Sequence, residues 1–181
     1  MPRTLSTLLA ATAALALAAA PAAAQRPQIS LGGGATFPLD DLGDVQDAGW
    51  HGLVAMGYRP PLFPLGFRID GMYHQLGGQG VGGVAAGDFR TIAVTGNVVL
   101  EAPALAVRPY VIGGVGLYNT KFEGAEGRSN VGFNAGVGLR FHLLDFDSFV
   151  EARYHTALDA LGSTEDGRAA RYVPVTFGIS F

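Results

Sequence analysis

The chain has 181 residues, 49% hydrophobic and only 15% charged, with 27 glycines, ten prolines and no cysteine. That length suits one domain. The charged share is well below the roughly 25% of soluble domains, and the glycine share is about twice the usual ~7%. Without cysteine there is no disulfide scaffold, thiolate metal site or cysteine nucleophile. A net charge of −3 with no basic stripe argues against nucleic-acid binding, and Lys121 is the chain's single lysine.

Residues 1–24 read as a cleaved secretory signal peptide. Arg3 supplies the positive start, Leu5 to Ala20 the apolar run, Pro21 the break, and Ala22-Ala23-Ala24 the small residues before cleavage. The barrel domain is then expected over 25–181. No later stretch reaches the ~18 consecutive apolar residues of a spanning helix.

What repeats instead is alternation with a period of two, in runs of about ten residues separated by turn chemistry. Ile29, Leu31, Ala35 and Phe37 open it, weakened by Gly32-Gly33-Gly34. Trp50, Val54, Met56 and Tyr58 alternate with His51, Leu53, Ala55 and Arg59. Leu65, Phe67, Ile69 and Tyr73 alternate with Gly66, Arg68, Asp70, Met72 and His74. Ile92, Val94, Val98 and Leu100 alternate with Thr91, Thr95 and Asn97. Residues 108–118 are ambiguous; the reading adopted places Tyr110, Ile112 and Tyr118 outward, with Val111, Val115 and Leu117 competing.

The cleanest run is Asn130 to Leu143, where Val131, Phe133, Ala135, Val137, Leu139, Phe141 and Leu143 share one face. Asn130, Gly132, Asn134, Gly136, Gly138, Arg140 and His142 take the other. Val150, Ala152 and Tyr154 alternate with Glu151, Arg153 and His155. Val173, Val175, Phe177, Ile179 and Phe181 alternate with Tyr172, Pro174, Thr176, Gly178 and Ser180. Successive side chains of a strand point to opposite faces, so each run reads as a strand, eight in all.

Short connections at 60–64, 101–107 and 144–147 alternate with longer ones at 38–48, 76–87, 119–128 and 157–169. An even-stranded meander with both termini at the short-turn end closes in this way, as outer-membrane barrels do. A strand of about ten residues, tilted ~40°, spans the ~25 Å apolar band.

A soluble lipocalin-like barrel would show the same period with its apolar face inward. Three features favour lipid outside. The polar face is rich in Gly, Ser, Thr and Asn, which suit a crowded narrow lumen. Aromatics sit towards strand ends, at Trp50, Tyr58, Tyr73, Tyr110, Tyr118, Tyr154, Phe177 and Phe181. The last strand ends on Phe181 itself. The expected fold is therefore all-β: an eight-stranded antiparallel up-and-down transmembrane β-barrel.

Ser148 to His155 and Tyr172 to Phe181 resemble the closing strands of the small outer-membrane β-barrel family, which includes OmpX-like proteins and the barrel domain of OmpA-like proteins. Arg108 to Tyr118 is similar to a middle strand of that group. The resemblance implies an outer-membrane location, with lipid and lipopolysaccharide as surroundings. It also implies that Phe177, Ile179 and Phe181 form the signal read by the barrel-assembly machinery.

The polar face carries Arg59, Arg68, Asp70, His74, Arg140, His142, Glu151, Arg153 and His155. Buried charges need partners, and an eight-stranded lumen is just wide enough for side chains. An internal ion-pair network is expected, with Arg140 beside Glu151 and Arg153, rather than a conducting path. A lipid A deacylase would need a Ser near a His with an acidic orienter on the lipid-facing rim. Thr156 and Ala157 follow His155 instead, and Ser163 lies in the next loop, so no catalytic residue is assigned.

Asp40, Asp41, Asp44 and Asp47 crowd the first long connection without the spacing of a Ca²⁺ loop. Gly77 to Gly83 lacks the Lys-Ser/Thr and helix of a phosphate loop. No cofactor or metal is expected. The sequence points to a non-enzymatic envelope barrel with long extracellular loops, and in second place to a loop-mediated adhesin or ligand-binding barrel.

Overall fold

The computed structural model describes residues 27–181, apart from 61–62, 64, 79, 82–83, 86, 103–105, 125, 144–145 and 159–168. The leader expected over 1–24 lies outside the described residues, as does Ser163.

Eight long strands follow in chain order: β1 (Gln28–Leu39), β2 (Gly49–Tyr58), β3 (Leu65–Leu76), β4 (Phe89–Glu101), β5 (Val107–Phe122), β6 (Arg128–Leu143), β7 (Phe146–Ala157) and β8 (Ala170–Ser180). Each pairs antiparallel with its neighbour in sequence, and β1 closes on β8. Closure runs from Ser30↔Ser180 to Leu39↔Arg171, and Phe181 N–H donates to the Ile29 carbonyl at 2.8 Å beyond it. A closed barrel leaves no strand edge unpaired, the condition for placing β structure in hydrocarbon.

The alternation sorts faces as expected in seven strands. In β4 every second residue from Phe89 to Glu101 is buried and the residues between are exposed. Val54, Ile69, Val94, Val137 and Phe177 stand on the outer wall. An apolar exterior around a polar interior is the inverse of a soluble barrel, and it matches a hydrocarbon surround.

Strand β5 corrects the expectation for 108–118. Tyr110, Ile112 and Tyr118 point inward, at 3%, 3% and 0% exposure, while Val111, Val115 and Leu117 face out. The neighbouring strand explains the choice. Tyr110 lies opposite Gly138, where an added Cβ would collide with the tyrosine ring. Inside, Tyr110 donates to Glu151 and Tyr118 bonds His155. Room on a glycine-lined wall and a buried polar partner outweigh the preference of tyrosine for the membrane interface. Tyr110 and Tyr118 therefore leave the aromatic girdle; Trp50, Phe177 and Phe181 remain exposed on the outer wall, with Tyr58, Tyr73 and Tyr154 half-buried.

The outer connections also differ from expectation. β5 and β6 stay paired to Asn119↔Ser129 and Thr120↔Arg128, so the loop read over 119–128 shrinks to a turn through Gly124, whose φ of 81° favours glycine. The first connection folds into a short helix, α1 (Asp40–Gly43). Its Leu42 is fully buried and caps the lumen with Leu76, Phe89, Ala157 and Ala170. The acidic segment is thus only half a solvated loop: its carboxylates ride on a hydrophobic stopper. Gln46 bridges Gly78 and bonds the Gly87 carbonyl at 3.2 Å, tying the first two outer connections together. Between them, Gly80–Val81 and Val84–Ala85 form a small ribbon.

Candidate functional site

Since the lumen holds the polar groups, it is where any site must be sought. Three layers fill it along the axis.

The middle layer is a four-membered ion network. Strand alternation puts Arg68 and Asp70 on one face of β3, and Glu151 and Arg153 on one face of β7. Arg68 grips Asp70 through Nε at 2.8 Å and Nη2 at 3.0 Å, and its Nη2 also reaches both Glu151 oxygens, at 2.9 and 2.8 Å. Arg153 Nη1 donates to Asp70 at 2.7 Å, and its Nε and Nη2 donate to Glu151. Two cations and two anions cancel, and all four side chains are at most 5% exposed. Asn97 donates to Asp70 at 3.2 Å, and Tyr110 donates to Glu151 at 2.9 Å. Nearly every lone pair has a partner, which is what makes charge tolerable in a low-dielectric site.

Towards the long-loop end lies an aromatic and hydroxyl layer. Thr36 Oγ1 bonds both His51 Nδ1 and His74 Nδ1 at 3.0 Å, and His51 Nε2 bonds Thr176 at 2.9 Å. His155 stacks on Tyr172 with ring centroids 5.3 Å apart and takes Tyr118 on Nδ1 at 3.0 Å. His155 is fully buried inside the barrel. Among the described residues no group of three or more His, Cys, Asp or Glu has metal-binding geometry.

At the short-turn end stands a third cluster. Glu101 takes Arg59 as a bidentate pair at 2.8 and 2.7 Å. Arg108 and Arg140 approach the same carboxylate at 3.4 and 3.3 Å, and Arg108 also holds Asp147 at 3.1 Å. The expectation that Arg140 neighbours Glu151 and Arg153 is corrected here. Cross-strand register sets Gly138 opposite Glu151 and Arg140 opposite Phe149, so Arg140 falls one layer lower and lies over the Tyr110 ring at 5.7 Å. His142, expected on the lumen face, extends past the wall at 74% side-chain exposure and meets Asp147 at 3.0 Å.

The structure thus gathers Arg68, Asp70, Glu151 and Arg153 into one network, places His74 and His155 in the layer beyond, and moves Arg140 to the opposite mouth. Sequence reasoning missed Glu101, hidden in what read as a turn before Pro103, and Tyr110, taken as outward. Continuing the alternation of β4 two residues beyond Val99 would have found Glu101.

Residues 7–181 match the family model described as the outer membrane protein beta-barrel domain. No curated protein resembles the chain closely enough to be matched. Among solved structures, Neisserial surface protein A superposes with a TM-score of 0.66 at 15% identity, covering 86% of this chain and 97% of that one. The outer membrane protein OprG from Pseudomonas aeruginosa gives 0.57 at 12%, over 87% and 97%. The outer membrane enzyme PagL gives 0.50 at 15%, over 84% and 98%. Identities this low speak for the shared fold alone.

Proposed function

The chain belongs to the outer membrane protein β-barrel domain family, and from that premise we propose that it is a non-enzymatic structural barrel of the outer membrane that presents its long-loop end outside the cell. The observation that carries this reading is the Arg68–Asp70–Glu151–Arg153 network, which fills the lumen at mid-height with neutral, mutually satisfied charge. A solute pore needs a hydrated passage, and an eight-stranded lumen packed in this way offers none. The burial of His155 supports the absence of lipid A chemistry. Lipid and lipopolysaccharide are the partners of the outer wall, and Phe177, Ile179 and Phe181 are the segment offered to the assembly machinery.

A second reading, a loop-mediated adhesin or ligand-binding barrel, draws on the β5–β6 hairpin. Its two strands have 16 residues each, against the ~10 that span the apolar band, and carry exposed Asn119, Lys121 and Arg128 outward. Cells lacking the protein should gain sensitivity to detergents and bile salts, restored equally by wild type and by His155→Ala, with lipid A acyl chains unchanged throughout. An acyl pattern that depends on His155 would overturn the non-enzymatic reading. Loss of surface binding on trimming residues 121–127, with envelope resistance intact, would favour the second one.

A further inference from the structure

Below the central network, a cavity of about 320 Å³ opens at the short-turn end, the periplasmic end in the orientation proposed above. Arg59, Arg68, Arg108 and Arg140 all line it. Arg68 at the floor is committed to Asp70 and Glu151. The other three share Glu101, and they are not equally served. Arg59 takes the carboxylate with a two-pronged hydrogen bond, so Arg108 and Arg140 meet it only at charge-contact distance. The Arg140 side chain is nine-tenths buried, and among the described residues its Nε, like the buried Nε of Arg59, has no hydrogen-bond partner.

A structural barrel alone gives no reason for this. Unsatisfied guanidinium donors are costly to bury, and the central network shows that this lumen pairs such groups closely when they are only structural. Three guanidiniums here face Glu101 and Asp147, and Asp147 is shared with His142. Phe181 lines the rim. Among the described residues the cup thus holds three cations against two side-chain carboxylates.

We propose that this periplasmic mouth binds a small oxyanion of the phosphate class, held by Arg140, Arg59 and Arg108. Arginine forks fit a tetrahedral oxyanion through paired hydrogen bonds, and the cavity has room for such an ion with part of its water shell. The anion enters from below and takes hydrogen bonds from the Nη groups of Arg108 and Arg140, which meet Glu101 only at charge-contact distance. The same chemistry is offered by a free phosphate or phosphomonoester in the periplasm and by the headgroup of an anionic phospholipid in the adjacent leaflet.

The test uses the folded full-length mature barrel, ¹⁵N-labelled at arginine. In zwitterionic detergent, inorganic phosphate is titrated against chloride at equal ionic strength while the Arg Nε–H resonances are followed by NMR. The Arg59 and Arg140 signals should shift and saturate with phosphate only. Arg108→Gln, at the more exposed rim, should weaken the apparent affinity roughly ten-fold; Arg128→Gln at the opposite end should not change it. In a second arm, nanodiscs of phosphatidylglycerol are compared with nanodiscs of phosphatidylcholine in a buffer free of inorganic phosphate. Shifts in the first arm assign a free anion, and shifts in the second alone assign a headgroup. Signals that move equally with chloride and phosphate and equally in the two lipids, or an Arg108→Gln barrel with wild-type affinity, overturn the site. Because the decisive shifts are read on the wild type, the test does not depend on Arg140 variants folding.

Discussion

Replacing Glu151 with Gln removes one charge from the central network with almost no change in shape. Glu151 accepts from Arg68 on both oxygens, from Arg153 through two nitrogens, and from Tyr110 at 2.9 Å. In Glu151→Gln one of the two acceptor oxygens becomes an NH₂ group facing donors, and Arg68 and Arg153 are left with Asp70 alone. Removing one partner of a buried pair costs about 3–5 kcal/mol, because the remaining charge is stranded. That is a fall of roughly two to four powers of ten in the folding equilibrium. Reversible urea unfolding in lipid vesicles measures it through Trp50, the chain's single tryptophan, which stands on the outer wall. Adding Arg153→Gln restores neutrality and keeps the Arg68–Asp70 pair, so the double variant should be more stable than the two single losses predict, with a coupling of about 1–3 kcal/mol. A Glu151→Gln loss below about 1 kcal/mol, the size of a solvent-exposed pair, would refute the reasoning. The lumen would then hold enough water to screen the network, and the argument against a conducting path would fall with it.

Val115 is 65% exposed in the middle of β5, and Val115→Arg should cost about 2–4 kcal/mol in the same assay, whereas Lys121→Glu near the outer end should cost almost nothing. Gly138→Ala should destabilise the fold or displace Tyr110, since the new methyl group lands on the ring that bonds Glu151; a shifted near-ultraviolet circular dichroism band would report the displacement. Deleting Phe181 should lower the amount of heat-modifiable, membrane-inserted barrel in cells. Normal levels without it would remove the assembly role proposed for the terminal segment.

Strand β6 was legible because its two faces differ in kind: large aliphatic and aromatic side chains on one, glycine, asparagine and arginine on the other. Burial then follows from strand geometry alone. Strand β5 was not, because Tyr110, Ile112 and Tyr118 on one face and Val111, Val115 and Leu117 on the other are both largely apolar. Period-two reasoning has no contrast to use there. The tie is broken by the glycines of β6 and by hydrogen-bond partners on β7, all of which lie outside the run of residues that period-two reasoning reads. Leu42 shows the same limit: amid four aspartates it reads as part of a solvated loop, and only the open end of the barrel gives it something to cover.

The sequence by itself determined that this chain forms strands, how many, that they close with short turns at one end, and that the apolar faces look outward. Each of these follows from a property local to ten or so residues: side-chain alternation, turn composition and strand length. Which charges share a layer was decided only by tertiary structure. Arg140 could meet Glu151 or Glu101 as far as spacing tells, and the cross-strand register of β6 on β7 sends it to Glu101. Registers between strands fix heights along the barrel axis, and those heights separate a neutral, mutually paired core from an arginine-lined mouth.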